Sequence, residues 1–200
     1  MKHPRQSNPN KLYLHKTNNS DTCFSLKVFQ RIKKIKELNK KEINVLDAYC
    51  GDGLIWKEII KRMPEIKFNL TNLDIKKGWN NNYTIVKNDW WILRNDVKCF
   101  DIVDLDAHHC PYEQVCALSL KGYTGLVFFT FILEGMGELK PLMVIDAGYS
   151  LDQVKRMRKM FRFGKDAINL WCEIIKKYGG INIEFQNPEK RKFYGWFDMK

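Results

Sequence analysis

A short apolar strand that ends in an acid and runs into a glycine turn constrains this chain more than any other feature. Segment 43–53 reads INVLDAYCGDG, and a helical pattern begins at Leu54. The apolar start of the segment suits a buried parallel strand. Gly51 and Gly53 permit a sharp turn and leave room beside the backbone. The helix that follows has unpaired N–H groups, so the segment predicts a ligand crevice at the carboxyl end of a strand.

The spacing of the glycines indicates which ligand the crevice takes. A dinucleotide fingerprint requires a third glycine, where this chain has the bulky Trp56, which argues against NAD or FAD. The pattern D-x-x-x-G-x-G, from Asp47 through Tyr49 to Gly51 and Gly53, resembles motif I of the class I S-adenosylmethionine-dependent methyltransferases. That resemblance implies S-adenosylmethionine as cofactor, with the motif framing its methionine half. The alternative is a turn that uses glycine for structural reasons alone.

Size and composition are those of one globular domain. The chain has 200 residues, 44% of them hydrophobic, and we expect a polar, basic, partly ordered arm over 1–19 and a single domain over 20–200. The sequence has no apolar run of 18 residues, which argues against a membrane span. The first residues lack the apolar core of a signal peptide, and the six cysteines form no C-x-x-C pair. We therefore expect reduced thiols, a cytoplasmic location and no bound metal.

The charge suggests a polyanionic partner. Lys and Arg number 34 against 23 Asp and Glu, a formal net charge of +11. Such an excess attracts nucleic acid, although a lysine-rich composition also follows from a biased genome. The first predicted helix, beginning at Ser20, carries five cations on its polar face. We interpret that face as a solvated surface, with a phosphate-binding ridge as the alternative. These cations are Lys27, Arg31, Lys33, Lys34 and Lys36.

Strand and helix patterns alternate along the chain. This alternation predicts an α/β fold with a doubly wound, mostly parallel, seven-stranded sheet and helices on both faces, Rossmann-like as in the methyltransferases. The last two strands are expected to form an antiparallel hairpin at a sheet edge. Predicted strands cover 43–48, 66–73, 83–87, 100–106, 125–133, 181–185 and 193–197, and predicted helices or helical turns cover 54–63, 90–95, 111–120, 150–161 and 165–178.

Acids follow the next two predicted strands. Asp74 ends the second strand and Asp89 follows the third. A carboxylate in the first of these places can accept hydrogen bonds from ribose hydroxyls. The methyltransferase resemblance implies that Asp74 binds the ribose and Asp89 the adenine amine. Either acid alone would also serve as a helix cap.

A third acidic strand end carries the prediction about chemistry. The segment from Val103 to Pro111 resembles motif IV of the tRNA guanine-N2 dimethyltransferases, because Val103, Asp104, Leu105, Asp106 and Pro111 match its V-D-L-D-P-[FY]-G-S-P pattern. The resemblance implies that Asp106 holds an acceptor amine, and His108, which stands where the family has its aromatic residue, or His109 would lie beside it. Tyr112 is the alternative source of a stacking ring, and the histidines could simply fill a polar loop.

These motifs favour a methyltransferase that acts on an exocyclic base nitrogen in nucleic acid, with RNA preferred over DNA. Two alternatives stay open. One is a methyltransferase-fold binding protein without transfer activity, suggested by the altered residues after Asp106. The other is a methyltransferase for a small molecule or a protein. The sequence predicts neither the base, nor the atom, nor the oligomeric state.

Overall fold

The computed structural model describes residues 21–74, 84–85, 88–107, 110–132, 141–157, 165–189 and 192–200. The predicted arm over 1–19 and the Ser20 cap lie outside these ranges. Helices and strands alternate through the described chain. They are α1 (Asp21–Leu38), β1 (Glu42–Asp47), α2 (Leu54–Arg62), β2 (Lys67–Asp74), β3 (Thr84–Ile85), α3 (Asn88–Arg94), β4 (Ile102–Leu105), α4 (Tyr112–Leu120), β5 (Gly125–Ile132), α5 (Pro141–Asp146), α6 (Leu151–Met157), α7 (Lys165–Lys177), β6 (Gly180–Glu189) and β7 (Lys192–Met199).

The strands form one sheet in the order β3-β2-β1-β4-β5-β7-β6. Six of them have four residues or more, whereas β3 contributes two. Pairing is parallel from β3 to β5, and β7 is antiparallel to both β5 and β6. The predicted mixed α/β architecture with a closing antiparallel hairpin is therefore confirmed. Strand order reverses between β1 and β4, and such a switch point is where open α/β sheets bind ligands.

Alternating side chains divide the core between the two faces of the sheet. On β5, Phe128 belongs to an apolar cluster covered by α1 and α2, whereas Phe129 and Phe131 belong to a larger cluster that includes residues of α3, α4 and α7. This alternation is the period of two that strands impose. Trp171 of α7 stacks on Phe131 with ring centroids 5.8 Å apart. Both faces of the sheet are thus buried, as its near-continuous apolar central strands require.

Most predicted boundaries lie within two residues of the observed ones, with two differences. Strand β6 runs to Glu189, four residues beyond the predicted end at 185. Helix α5 was not predicted, because its six residues carry too little periodicity to mark a helix. The end of the helix predicted to reach 161 lies outside the described residues. None of the helices in the described ranges is long and apolar enough to cross a membrane.

Candidate functional site

The turn after β1 has the left-handed backbone that its two glycines permit. Gly51 has φ of 47° and Gly53 has φ of 67°, values that L side chains rarely adopt. The N–H of Gly53 donates a 2.6 Å hydrogen bond to the carbonyl of Cys50. Among the described atoms, none lies within 4 Å of a Cβ placed on Gly51. The turn therefore requires glycine for its backbone and also borders open space.

Asp74 closes this turn from the neighbouring strand. Its Oδ2 accepts a 3.0 Å hydrogen bond from the N–H of Gly51, and the N–H of Cys50 donates to the carbonyl of Leu73 at 3.0 Å. The Asp74 side chain is buried at the carboxyl end of β2. Tyr49 lies within the same turn and packs against the larger apolar cluster. The fold thus brings Asp47, Tyr49, Gly51, Gly53 and Asp74 together, as the sequence predicts.

Three other predicted site residues lie partly or wholly outside the described part of the chain. Asp89 lies in the first turn of α3, immediately beyond β3, but its side chain is outside the described residues. His108 and His109 are also outside them. The roles assigned to these three residues stay predictions. Tyr112, the alternative source of a stacking ring, donates a 2.9 Å hydrogen bond to Asp146 instead.

Three carboxyl groups crowd the switch point on the sheet face covered by α1. Asp47 and Asp104 are register partners on β1 and β4, and Asp106 lies two residues beyond Asp104, on the same side by strand alternation. The charges of Asp104 and Asp106 both act on Asp47 and raise its pKa. Among the described residues, no group of three His, Cys, Asp or Glu side chains is arranged to hold a metal ion. The negative charge is balanced by protein cations.

Those cations come from α1. Arg31 donates from Nε and Nη2 to the two carboxylate oxygens of Asp104, at 2.7 and 2.6 Å. Lys27 Nζ donates to both oxygens of Asp106, at 2.6 and 2.8 Å. The interpretation of this helix face as solvated is wrong for Lys27 and Arg31, which are 7% and 2% exposed. Their ion pairs with Asp104 and Asp106 keep these two side chains at the carboxyl end of the sheet and away from water.

Hydroxyl and aromatic groups complete the contacts of the cluster. Thr130 of β5 donates a short hydrogen bond to Asp106 Oδ1, and Trp56 Nε1 donates to Asp104 Oδ2 at 2.9 Å. Trp56 is thus a donor to the cluster at the place where a dinucleotide site would have glycine. Lys27 lies over the ring of Tyr194, with Nζ 4.6 Å from its centroid. The pairs are therefore packed as well as hydrogen-bonded.

The pKa directions follow from this arrangement. Burial would raise the pKa of Asp106, but Lys27, Arg31 and the hydrogen bonds from Lys27 and Thr130 outweigh burial and hold it below its usual value. Burial, with the charges of Asp104 and Asp106, raises the pKa of Asp47 well above its usual value. Asp106 and Asp104 are each paired with a cation of α1, and burial favours the neutral form of Asp47.

Cys50 occupies the turn as a protonated thiol. Burial, together with the charges of Asp47 and Asp74, raises its pKa to about 12. A thiol of this kind is a poor nucleophile, because only the thiolate attacks carbon efficiently. Covalent catalysis by Cys50 is therefore disfavoured.

Sequence reasoning missed the contribution of Lys27, Arg31 and Thr130 to this site. A signal was present, because Lys27 and Arg31 are four residues apart on one helix face, and Asp104 and Asp106 alternate on one strand face. Two cations spaced four residues apart on a helix can form ion pairs with two acids spaced two residues apart at the end of a strand.

Solved structures of methyltransferases share this architecture. The plantazolicin methyltransferase BamL, solved with a triazolic desmethylPZN analog and SAH, matches with a TM-score of 0.50 and 13% identity over 88% of this chain and 84% of that one. The methyltransferase domain of bacterial CtHen1-C matches with 0.51 and 12% over 88% and 98%. The chain has a methyltransferase fold. The CurJ carbon methyltransferase gives 0.55 and 8% over 89% and 55%.

Sequence comparison adds no closer relationship. No protein-family model and no curated protein matches the chain. Identities of 8 to 13% show a common fold.

Proposed function

We propose that this protein is an S-adenosylmethionine-dependent methyltransferase whose cofactor binds over the glycine turn. The observation that carries the proposal is the hydrogen bond between Asp74 and the N–H of Gly51, beside the open space at that glycine. Carboxylate and backbone groups of this kind suit a nucleoside with ribose hydroxyls. BamL, which shares the fold, was solved with the demethylated product SAH.

Different residues of the chain would bind the cofactor and orient the acceptor. The cofactor supplies an electrophilic methyl group on a sulfonium when bound. Asp74 would hold the ribose, and the turn from Asp47 to Gly53 would frame the methionine half. Asp89 is assigned the adenine amine. Asp106 would accept a hydrogen bond from the acceptor group, with His108 or His109 beside it, so that orientation supplies most of the rate enhancement.

For the acceptor we favour an exocyclic base nitrogen in nucleic acid, with RNA ahead of DNA. Support comes from the motif IV residues that resemble the tRNA guanine-N2 dimethyltransferases and from the net charge of +11. The burial of Lys27 and Arg31 removes two cations from any phosphate-binding role of α1. The exposed Lys33 and Lys36 of α1 remain for such contacts.

A small-molecule or peptide acceptor is the second candidate. BamL is named for plantazolicin and CurJ is a carbon methyltransferase, and neither description involves a nucleic acid. A binding protein without transfer activity is the third, and it keeps the cofactor crevice while giving no methylated product.

Titration calorimetry with SAH tests the cofactor assignment. We expect the wild type to bind, and Asp74→Ala to bind at least about tenfold more weakly, because it loses a charged hydrogen-bond acceptor. The control is Glu65→Ala, which changes an exposed acid between α2 and β2, outside the turn, and which should bind as the wild type does. Absence of wild-type binding, or equal binding by Asp74→Ala, would contradict the assignment.

Transfer of labelled methyl groups separates the acceptor classes. Total RNA, total DNA, and peptide and small-molecule extracts serve as separate acceptor pools, with Asp74→Ala as the inactive control. Label in RNA supports the favoured acceptor, whereas label confined to the extracts supports the second candidate. SAH binding without label in any pool would identify a binding protein.

A further inference from the structure

Lys27 and Thr130 together fill most of the hydrogen-bonding capacity of Asp106, the carboxylate expected to hold the acceptor. Lys27 Nζ bridges both oxygens of Asp106, and Thr130 donates to Oδ1. A carboxylate offers about four lone-pair positions, and among the described residues three of them are used. One position on Oδ2 is left. Asp106 can therefore accept one more hydrogen bond, but it has no uncompensated charge to offer.

The charge of Asp106 also bears on the electrostatic potential in the crevice beside the glycine turn. The charge of Asp106 helps to raise the pKa of Asp47, which is the last residue of β1 before the glycine turn. The charged groups that face these two acids are Lys27 and Arg31 on α1 and Asp104 on β4. A change of charge at Asp106 would thus alter the potential where a cofactor binds.

We propose that Lys27 is a positioning residue that acts through Asp106 and restricts the acceptor to an electrically neutral hydrogen-bond donor. A base amine is such a group. A protonated aliphatic amine, as on a lysine side chain, has no lone pair and must bind as a cation before it loses its proton. A carboxylate that Lys27 already neutralises does not favour that binding. This inference rests on the proposed function and deepens it by naming the charge of the acceptor.

The cofactor pair itself supplies a probe of this charge. S-adenosylmethionine carries a sulfonium cation where SAH has a neutral sulfur, and the two ligands otherwise differ by one methyl group. The ratio of their dissociation constants therefore reports the potential at the transfer site. A structural defect would weaken both ligands together, whereas a charge effect changes the ratio.

Calorimetry with both ligands tests Lys27→Met. The variant leaves Asp106 without its lysine partner, so we expect preference for S-adenosylmethionine over SAH to rise at least about fivefold at pH 8, the effect of two unit charges about 4 Å apart in bulk water. Lys61→Met, which changes an exposed lysine of α2, is the control and should keep the wild-type ratio. The double variant Lys27→Met with Asp106→Asn should restore that ratio, because it removes both charges.

A second single variant covers the case in which Lys27→Met does not fold. Asp106→Asn leaves Lys27 uncompensated and should lower the preference for S-adenosylmethionine below that of the wild type. An unchanged ratio in every folded variant would overturn the role of Lys27 while leaving the cofactor assignment intact. Failure of the wild type to bind either ligand would instead overturn the proposed function itself.

Discussion

Two buried or partly buried acids on opposite faces of the sheet have opposite electrostatic surroundings. Asp47, on the face covered by α1, lies among other carboxylates, and burial together with Asp104 and Asp106 raises its pKa. Asp146 at the end of α5 is surrounded by donors. Burial would raise its pKa, but Lys177 and the hydroxyls of two tyrosines outweigh burial and lower it. Burial alone would raise the pKa of both carboxyl groups, and only Asp146 has donors that reverse that direction.

The same contrast separates the two cores. The α1 face contains ion pairs at its carboxyl edge, with Arg31 packed over Phe128, its guanidinium carbon 5.0 Å from the ring centroid. The opposite face is held by aromatic packing of Phe129, Phe131 and Trp171. Ion pairs make stability depend on pH, whereas apolar packing does not. The comparison can therefore be tested by measuring free energies of unfolding at several pH values.

Arg31→Met should cause the largest loss. It leaves Asp104 buried without its bidentate partner, and removing one member of a buried pair costs about 3 to 5 kcal/mol. We expect that loss at pH 7 in urea unfolding, and a smaller loss at pH 5, because a buried carboxylate without a partner favours its neutral form.

The matched control is Phe131→Leu on the opposite face, with an expected loss of about 1 to 2 kcal/mol from the smaller apolar group. That loss should be the same at both pH values. A pH-independent loss for Arg31→Met would contradict the distinction between the two faces.

Asp47→Asn should show the next largest effect, and only as a dependence on pH. A carboxyl group whose pKa is raised by folding contributes most below its unfolded pKa of about 3.9, and that contribution is lost as pH rises through the folded pKa. The wild type should therefore lose stability relative to Asp47→Asn by about 1.4 kcal/mol for each pH unit above 5, until Asp47 ionises. Thermal and urea unfolding from pH 5 to 8 measure the difference. Parallel curves for the two proteins would show that Asp47 is ionised throughout.

Much of the fold could be predicted from the sequence because its signals are local. The strand, the glycine turn and the helix after it are contiguous, and positive φ at Gly51 and Gly53 follows from the residue type. The proximity of Asp74 to the turn follows from parallel strands that end at one edge. These arguments need no knowledge of distant contacts.

The pairing of α1 with β4 could not be predicted in this way, because it depends on contacts between residues far apart in the sequence. Lys27 and Asp106 are 79 residues apart and Arg31 and Asp104 are 73 apart, and amphipathic patterning alone assigns charged helical residues to solvent. The partners of Asp146 are Tyr112 on α4, Lys177 at the end of α7 and Tyr178 just beyond it, which only the tertiary fold brings to α5. Charge compensation inside a site is therefore the part that local patterns miss.

Asp146→Asn should show the smallest effect and the opposite pH dependence to Asp47→Asn. A carboxyl group whose pKa is lowered by folding contributes stability above its unfolded pKa, near 3.9, and that contribution is lost as pH falls through the folded pKa. We expect a loss of about 1 kcal/mol at pH 7, typical of hydrogen bonds to a partly exposed charged group, and almost none at pH 3. Tyr178→Phe, which removes one donor to the same carboxylate, should reproduce part of the loss at pH 7. If Asp146→Asn instead cost more as pH fell, the surroundings of Asp146 and Asp47 would not differ in the way their neighbours imply.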